Sequence, residues 1–457
     1  MKMIEIFLRR QWPFWLGGVL VGLSEILFYY QYDTFIVVTT GFAQMYAVSE
    51  KYLFGIDWVG QLYEPGIHWV IIGAVLGARL VALVEWESRS WVNYPWKMLL
   101  LSFIGGIFFS FGTRIAGGCT THHFIGGIPS MSIASWVVLL SGIPFAFLAF
   151  KIALMIGMGG YFRHQETRSI AQQYHHHPSQ PQPGYHPTYH PWRNPFHILL
   201  TVFLLIFLGT PLYFAIFKST IVGNVSSLGG WNEVSMLIFI GSLLGFGIGK
   251  CGFGTECSVM APESVFTRAE FYQKHGVPLA TYVMFRGLLP LQGFMVAIVM
   301  FNLFILIWSQ LGYGTVPNAS GEAGLYWGHF LGGPFLAMGA VWMIGCEVRT
   351  YARLGLGYGT ALAALPGFYI GYLPYTFFYE KIDEVVFGEE LTHFITIPEW
   401  TTYTFGGSQL VWEIAYSFLL ILILIYSFVA GRRFLNTSWL NVFRCNTDEL
   451  VYSRSVM

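Results

Sequence analysis

The chain has 457 residues, of which 55% are hydrophobic and only 11% are charged. Soluble domains carry about 25% charged residues, so this composition excludes an ordinary soluble protein and indicates a membrane protein. Lys and Arg total 24, as do Asp and Glu, so the formal net charge is zero. The chain has no excess of basic residues of the kind that favours nucleic-acid binding, so no nucleic-acid partner is expected.

Apolar runs of transmembrane length recur along the chain. A helix rises about 1.5 Å per residue, so about 20 apolar residues cross about 30 Å of hydrocarbon. We predict transmembrane helices near residues 12–30, 67–84, 97–116, 133–153, 196–217, 233–250, 278–308, 326–345, 359–379 and 410–430. The chain is therefore predicted to be an all-α polytopic membrane protein with about ten transmembrane helices.

The basic residues indicate how these helices are oriented, because cytoplasmic loops retain Lys and Arg. With the N-terminus inside, 18 Lys and Arg fall in inside segments, and the outside segments carry only Lys51, Arg114, Lys218 and Lys381. This asymmetry predicts an even number of spans with both termini cytoplasmic. The first apolar run lacks a small-residue cleavage site, so we expect it to be retained as a span in the cell (inner) membrane.

Three regions do not fit a transmembrane helix. The run from Asp33 to Val48 is apolar but too short to cross, which favours a half-span or an interfacial helix. Residues 154–195 are rich in Pro, His and Gln, which indicates a disordered cytoplasmic linker with incidental metal affinity. The acidic segment 380–409 is expected to be a solvated external cap.

An internal repeat relates the two halves of the chain. Four positions share the spacing GG-x5-G-x6-C at an offset of 227 residues: Gly105, Gly106, Gly112 and Cys119 in the first half, and Gly332, Gly333, Gly339 and Cys346 in the second. The same offset relates four further pairs: Gly18 and Gly245, Gly22 and Gly249, Ser24 and Cys251, and Tyr30 and Cys257. This agreement favours an internal duplication.

Five crossings lead from the first predicted span to its counterpart in the second copy, the sixth, and because five is an odd number the second copy must be inverted relative to the first. Inverted repeats place their functional site near the membrane midplane, at the interface of the two copies. We predict a first repeat over 12–153, a linker over 154–195, a connecting helix over 196–217, a second repeat over 233–379, the acidic segment over 380–409, a last helix over 410–430 and a cytoplasmic tail over 431–457.

In each half a short insert follows the Gly-rich end of a span. These inserts run from Gly117 to Ser132 and from Cys346 to Tyr358. They are too short to cross the membrane and too apolar to be free loops. Backbone at that depth is tolerated where it is buried in protein or lines a wet cavity, so we predict re-entrant half-helices.

Cysteine thiols are the leading candidates for chemistry. Cys119 and Cys346 recur at one place in both copies, and Cys251 and Cys257 fall at the opposite end of the proposed interface. A single buried Cys usually packs as a small hydrophobe, but the recurrence favours a functional role. A neutral S–H is a weak donor that suits a large sulfur atom better than a strongly hydrated ion. We therefore expect these thiols to guide a sulfur anion.

Four other side chains are predicted to support this pathway. Arg114 and Arg349 would attract anions, although cytoplasmic anchoring is the alternative role for Arg349. His122 directly follows the first insert's Cys-Thr-Thr segment and is the histidine expected to line the path, without binding a metal. Glu256 is an intramembrane acid if its segment dips inward, where it would exchange a proton with a thiol or set selectivity.

At these residues the chain resembles the YeeE/YedE family of membrane proteins, whose members include thiosulfate transporters. RIAGGCTTHHFIGG at 114–127 is similar to that family's R-x-A-G-G-C-T/N segment, and GCEVRTYARLGLGYGTAL at 345–362 is similar to its second-half counterpart. The resemblance implies an hourglass of inverted repeats in which pore-lining cysteines pass thiosulfate along by S–H···S contacts. That role falls here on Cys119 and Cys346, and on Cys257 or Cys251.

The chain also departs from the family pattern. The family often has an Arg-Gly-x-Phe-Cys segment in each half, but the first half here has Ser24 and Tyr30 at the repeat-equivalent sites. The second half reads GKCGFGTEC, without that Arg. A related sulfur or selenium species therefore stays open as the substrate.

The preferred function is uptake of a small inorganic sulfur-containing anion, with thiosulfate the leading substrate, and without enzyme activity or a cofactor. No Walker-type G-x4-GK[ST] stretch is present in the sequence. The lipid bilayer is the expected surrounding, and a small cytoplasmic sulfur-carrier protein is the one protein partner to consider. The alternatives are a membrane sulfurtransferase or thiol oxidoreductase that forms a cysteine persulfide, and a scaffold subunit whose cysteines only pack.

Overall fold

A computed structural model describes residues 12–84, 96–156, 195–217, 230–251, 279–313, 324–435 and 438–444. These residues form an all-α structure. The first half contains α1 (Phe14–Tyr32), α2 (Val38–Ser49), α3 (Trp69–Val84), α4 (Trp96–Ile115) and α5 (Ile133–Met155). A π-helical turn at Glu50–Phe54 and a 3-10 turn at Val59–Gln61 follow α2, and a second π-helical turn at Thr121–Gly127 precedes α5.

The remaining elements begin with α6 (Pro195–Phe217), α7 (Trp231–Cys251) and α8 (Leu279–Gln310). They continue with α9 (Trp327–Met343), α10 (Glu347–Leu356), α11 (Gly359–Phe377), α12 (Tyr379–Phe387), α13 (Ile397–Phe405), α14 (Gln409–Leu435) and α15 (Trp439–Arg444). Two short strands, β1 (Leu325–Tyr326) and β2 (Glu390–Thr392), pair antiparallel and connect the start of α9 to the acidic segment.

Each of the ten predicted spans coincides with a helix of this structure, which confirms an all-α polytopic membrane protein. Among the described residues, six stretches are long and apolar enough to cross a membrane: Trp96–Ile115, Ile133–Ala153, Trp231–Cys251, Leu291–Gln310, Trp327–Leu356 and Gln409–Arg433. Two shorter apolar helices cover Trp69–Val84 and Ile198–Thr210. Large apolar side chains on α6 and α14, such as Leu205 and Phe418, are exposed, as expected for surfaces that face lipid.

Glycines let α4 and α9 pack backbone against backbone. A Cβ atom at Gly105 would lie 2.6 Å from the Met343 nitrogen, and one at Gly332 would lie 2.5 Å from the Ala116 nitrogen. Residue numbers rise along one helix as they fall along the other, so the two helices run antiparallel. Because small residues permit this approach, the pair forms the tightest kind of helix contact available in a membrane protein.

The other helix pairs follow the 227-residue offset. α3 packs along α7, and the offset carries this pair onto α8 and α1, which also pack together. Likewise, α4 packs along α11, and the offset relates this pair to α9 and α5. A Cβ atom at Gly18 in α1 would lie 2.8 Å from the Gly293 carbonyl carbon of α8. Each contact between two helices thus recurs between the two helices that the offset relates to them, which supports the duplication. The boundaries of the two copies stay a prediction.

The two inserts differ in their backbone. The second insert contains a regular helix, α10, as expected for a half-helix. The first insert contains instead the π-helical turn Thr121–Gly127, in which the Ile128 N–H donates to the His123 carbonyl at 2.8 Å. Side chains crowd this turn, since a Cβ atom at Gly126 would lie 2.5 Å from the Phe35 ring. The short helix predicted there is therefore present as a π-helix rather than as a regular α-helix.

The short apolar run before Glu50 forms α2, and ten of its twelve residues are buried. Of the two alternatives for this run, an interior half-span matches the structure better than an interfacial helix. The first turn of α2 lies beside the end of α4, where Thr39 Oγ1 is 2.9 Å from Thr113 Oγ1.

Candidate functional site

Cys119 lies between the end of α4 and the π-helical turn, and its side chain is fully buried. Backbone N–H groups of His122, Val38 and Thr39 lie within hydrogen-bond reach of its Sγ. Val38 and Thr39 begin α2, and the first N–H groups of a helix have no acceptor within that helix. The thiol is therefore at the positive end of the α2 dipole, which stabilises negative charge.

Cys346 has the corresponding place in the second half. It is the N-cap of α10 and is fully buried, and its Sγ accepts a hydrogen bond of 3.3 Å from the Arg349 N–H. Neither Cys119 nor Cys346 forms a disulfide with another described cysteine. Each of these two cysteines thus lies at the N-terminus of a short interior helix.

Arg114, near the end of α4, is only 8% exposed. Its Nη1 donates to the Tyr63 hydroxyl at 2.7 Å, its Nη2 to Thr39 Oγ1 at 2.7 Å, and its Nε to Thr113 Oγ1 at 3.3 Å. The guanidinium also lies over the rings of Tyr63 and Tyr372, at 5.2 and 5.4 Å from their centroids. Within the described residues, every hydrogen-bond acceptor of Arg114 is thus a neutral hydroxyl, so its positive charge is held without a carboxylate bonded to it.

Thr39 links the arginine to the cysteine. Its hydroxyl accepts from Arg114, while its backbone N–H is directed at Cys119 Sγ. The same hydroxyl lies 3.3 Å from the Tyr372 hydroxyl, which donates to the Thr39 carbonyl at 3.2 Å. The Arg114 guanidinium and the Cys119 thiol therefore both contact Thr39, a residue of α2.

Glu347, the first residue of α10, is 1% exposed. Its Oε1 accepts hydrogen bonds from the Tyr351 hydroxyl at 3.1 Å and from the Tyr372 hydroxyl at 3.4 Å. Its charge acts on Cys119 and on Arg114. A carboxyl, a thiol and a guanidinium thus share one buried cluster, which residues of both halves build.

The adjacent histidines have different surroundings. His122 lies edge-on to the Phe35 ring, with 5.6 Å between the ring centroids. His123 Nε2 lies 3.1 Å from the Ala116 carbonyl, and its Nδ1 lies 3.0 Å from Ser135 Oγ. A carbonyl only accepts, so Nε2 donates and Nδ1 of the neutral ring accepts from Ser135. His123 therefore ties the turn to α5, and His122 is the histidine next to the thiol.

Cys251 is buried at the end of α7, where its Sγ donates to the Pro13 carbonyl at 3.5 Å. The neighbouring Lys250 is also buried, with its Nζ over the Trp12 ring at 5.9 Å. Cys251 is thus separate from the cluster around Cys119. Cys257 and Glu256 lie outside the described residues, and their roles stay predictions.

Arg349 and Arg353 are both buried in α10. Arg353 Nη1 donates to the Ile344 carbonyl at 2.7 Å and to the Met343 carbonyl at 3.2 Å, and its Nη2 donates to Thr360 Oγ1 at 2.9 Å. Arg353 therefore joins the end of α9 to the start of α11. Arg349 lies one turn nearer the N-terminus of α10, and its backbone N–H holds Cys346.

The sequence did not point to the residues that surround Arg114. Thr39, Tyr63 and Tyr372 come from three distant segments, and nothing in their local sequence marks them. Glu347 had a usable signal, because it is an acid in a mostly apolar region directly after the repeated cysteine. Among the described residues, no group of three or more His, Cys, Asp or Glu side chains is placed to hold a metal ion.

These features define a polytopic helical membrane protein with a buried cluster of thiol, guanidinium and carboxyl groups at the ends of short interior helices. Comparison with known proteins gives a more specific class. Residues 1–147 match the family described as "Sulphur transport". The resemblance to the YeeE/YedE family is therefore confirmed, and this match includes the segment that holds Cys119.

The chain is also similar to a protein named "Thiosulfate transporter TsuA" from Spirochaeta thermophila. The two are 31% identical over 111 residues, which cover 22% of this chain and 34% of that relative. The chain thus matches about a third of the length of this relative.

Proposed function

We propose that the protein transports a small inorganic sulfur-containing anion, with thiosulfate as substrate, across the cell (inner) membrane. The observation that carries this proposal is the place of Arg114, a buried cation bonded to hydroxyls and linked through Thr39 to the thiol of Cys119. A buried cation without a bonded carboxylate is suited to an anion. The match to the family described as "Sulphur transport" and the name of the thiosulfate transporter relative support a sulfur-containing anion as the substrate.

The chemistry of thiosulfate fits this cluster. One end of this anion carries sulfonate oxygens, which favour guanidinium and hydroxyl donors such as Arg114 and Tyr63. The other end is a large, polarisable sulfur that accepts weakly from a thiol such as Cys119. Weak contacts at the sulfur end guide the anion without trapping it.

The pathway proposed for the anion runs along Cys119 and Cys346, each at a helix N-terminus that stabilises negative charge. Cys251 and Cys257 would extend it toward the cytoplasm. The supporting side chains are Arg114, His122, Glu256 and Arg349. Both termini are proposed to be cytoplasmic, and docking of a small cytoplasmic sulfur-carrier protein below the pathway stays a prediction.

Uptake of radiolabelled thiosulfate into proteoliposomes tests the proposal. Wild-type protein is expected to accumulate label, and Cys119→Ala and Cys346→Ala are expected to lose most of it. Cys445→Ala, in the predicted cytoplasmic tail, serves as the matched control for loss of a thiol. Uptake that both substitutions leave unchanged would contradict a role for these cysteines, and no uptake by the wild type would contradict the function itself.

Two additions separate the alternatives. Excess unlabelled sulfate should compete poorly, because it lacks the terminal sulfur, and selenium-containing analogues show whether the substrate class is wider. Mass spectrometry of Cys119 after exposure to thiosulfate detects a persulfide. A persulfide on Cys119 without net uptake would favour the membrane sulfurtransferase or thiol oxidoreductase instead.

A further inference from the structure

We propose that Glu347 binds a proton when the anion reaches Cys119, so that anion uptake is coupled to proton movement in the same direction. This inference rests on the proposed transport function. The carboxyl lies inside the protein at the start of α10, directly after Cys346. Its Oε1 is held by the hydroxyls of Tyr351 and Tyr372, at 3.1 and 3.4 Å.

The need for a proton follows from the charges of the cluster. Thiosulfate is a dianion, whereas Arg114 supplies a single positive charge to the cluster. An ionised Glu347 would offset that charge and repel the anion, because the Tyr372 hydroxyl that contacts Glu347 also contacts Thr39, to which Arg114 is bonded. Like charges in a buried site favour protonation of the weaker acid. A proton on Glu347 therefore leaves the Arg114 charge available to the anion.

A chain of hydroxyls offers the proton a path to this carboxyl. Arg114 donates to Thr39 Oγ1, the first hydroxyl of this chain, and to the Tyr63 hydroxyl, on the side predicted to be external. Thr39 Oγ1 is 3.3 Å from the Tyr372 hydroxyl, and that hydroxyl reaches Glu347 at 3.4 Å. Hydroxyls both donate and accept, so they can pass a proton along the chain while Arg114 stays charged.

The elements packed against α10 add few other titratable groups. Among the described residues, the helices packed against α10 are α2, α3, α7 and α11. Their titratable side chains are Tyr46 on α2, Arg79 on α3, Glu233, Lys250 and Cys251 on α7, and Tyr369, Tyr372 and Tyr375 on α11. Arg79 Nη1 donates to the Gly355 carbonyl at 3.5 Å, at the opposite end of α10. The Tyr369 hydroxyl donates to Glu50. Of these groups, Tyr46 and Tyr372 are the ones on which the Glu347 charge acts, and Arg349 and Arg353 lie on α10 itself.

The transfer balances as one proton per anion. The Glu347 carboxylate takes a proton that began in the external water, and the anion passes while the carboxyl is neutral. The carboxyl then releases the proton to the internal water after the anion has left, and Arg114 keeps its proton throughout. Each relay hydroxyl gives up one proton and takes another, so the net change is the O–H bond of the carboxyl.

Proteoliposomes with the membrane potential clamped by potassium and valinomycin test this coupling. The external medium is made more acidic than the internal medium by about 2 pH units. At one proton per anion, accumulation of radiolabelled thiosulfate should then be about a hundredfold higher than the accumulation measured without a pH gradient. Thiosulfate added without a gradient should make the external medium more alkaline. Transport of thiosulfate by the wild type with neither effect would overturn the coupling and leave the transport function intact.

Glu347→Gln keeps the size of the side chain and an acceptor for the tyrosine hydroxyls, but it cannot exchange a proton. This variant is expected to exchange labelled for unlabelled thiosulfate and to lose the response to the gradient. Glu50→Gln is the matched control, since Glu50 is also buried and accepts from the Tyr369 hydroxyl at 2.7 Å, and it should keep the response. An undiminished gradient response in Glu347→Gln would overturn the proposal.

Discussion

Nη2 of Arg114 donates a 2.7 Å hydrogen bond to Oγ1 of Thr39, a residue of α2 that precedes it by 75 positions in the sequence. This bond fixes the Arg114 guanidinium relative to the first turn of a short interior helix. Because the same turn directs its N–H groups at Cys119, one residue sets the distance between the two groups that would contact an anion.

Thr39→Val tests this bond. The substitution removes the hydroxyl but keeps the backbone N–H directed at Cys119 and most of the side-chain volume. A hydrogen bond to a charged group is worth about 1.5–3 kcal/mol, so we expect about a tenfold or larger rise in the thiosulfate concentration for half-maximal uptake. Thr401→Val, on α13, removes a hydroxyl that donates to the Ile397 carbonyl and should leave uptake unchanged.

Arg114→Lys is expected to fail although it keeps the charge. An ammonium cannot bond Tyr63, Thr39 and Thr113 from one planar group as the guanidinium does. We expect uptake at subsaturating thiosulfate to fall at least about tenfold, the cost of one lost charged hydrogen bond. Arg433→Lys, at the exposed end of α14, is the matched control for the same exchange at the surface and should keep wild-type uptake. Wild-type kinetics in Arg114→Lys would show that charge alone suffices.

Gly332→Ala should destabilise the protein. Its new Cβ would lie 2.5 Å from the Cβ of Ala116, where the backbones of α4 and α9 are in contact. Overpacking of this kind costs about 1–3 kcal/mol, which thermal unfolding in detergent detects as a lower Tm. Gly209→Ala in α6 is the matched control, since no atom lies within 4 Å of its added Cβ. An equal Tm for the two variants would contradict the tight contact.

Arg353→Gln should also lower stability rather than affinity. The substitution leaves the buried carbonyls of Met343 and Ile344 without their donor, at a cost of about 1–3 kcal/mol for each group. The expected result is a lower Tm, with an unchanged thiosulfate concentration for half-maximal uptake by the folded fraction. A large change in that concentration at normal Tm would place Arg353 on the anion pathway instead.

Much of the helical framework could be predicted from the sequence, because apolar length is a direct record of a membrane crossing. The runs near 97–116 and 326–345 correspond closely to α4 and α9. The repeated glycines indicated the duplication, and the structure adds that Gly105 and Gly332 lie where α4 and α9 are in contact. The first insert was predicted less well, because its crowding by Phe35 depends on the tertiary structure.

The candidate site could be predicted only in part. Cys119 and Cys346 were identifiable because each recurs at one place in a duplicated pattern. Tyr63 and Tyr372 carry no such mark, since an isolated tyrosine in an apolar chain is common and its partner is set by folding. Their role follows from the position of Arg114, whose guanidinium lies between them.

The antiparallel contact of α4 and α9 has a mechanical consequence. With backbone atoms of the two helices in direct contact at Gly105 and Gly332, no layer of side chains can yield between them. We therefore expect α4 and α9 to move together as one rigid unit. Any movement that changes access to Cys119 is therefore expected in the elements packed around α4 and α9 rather than between these two helices.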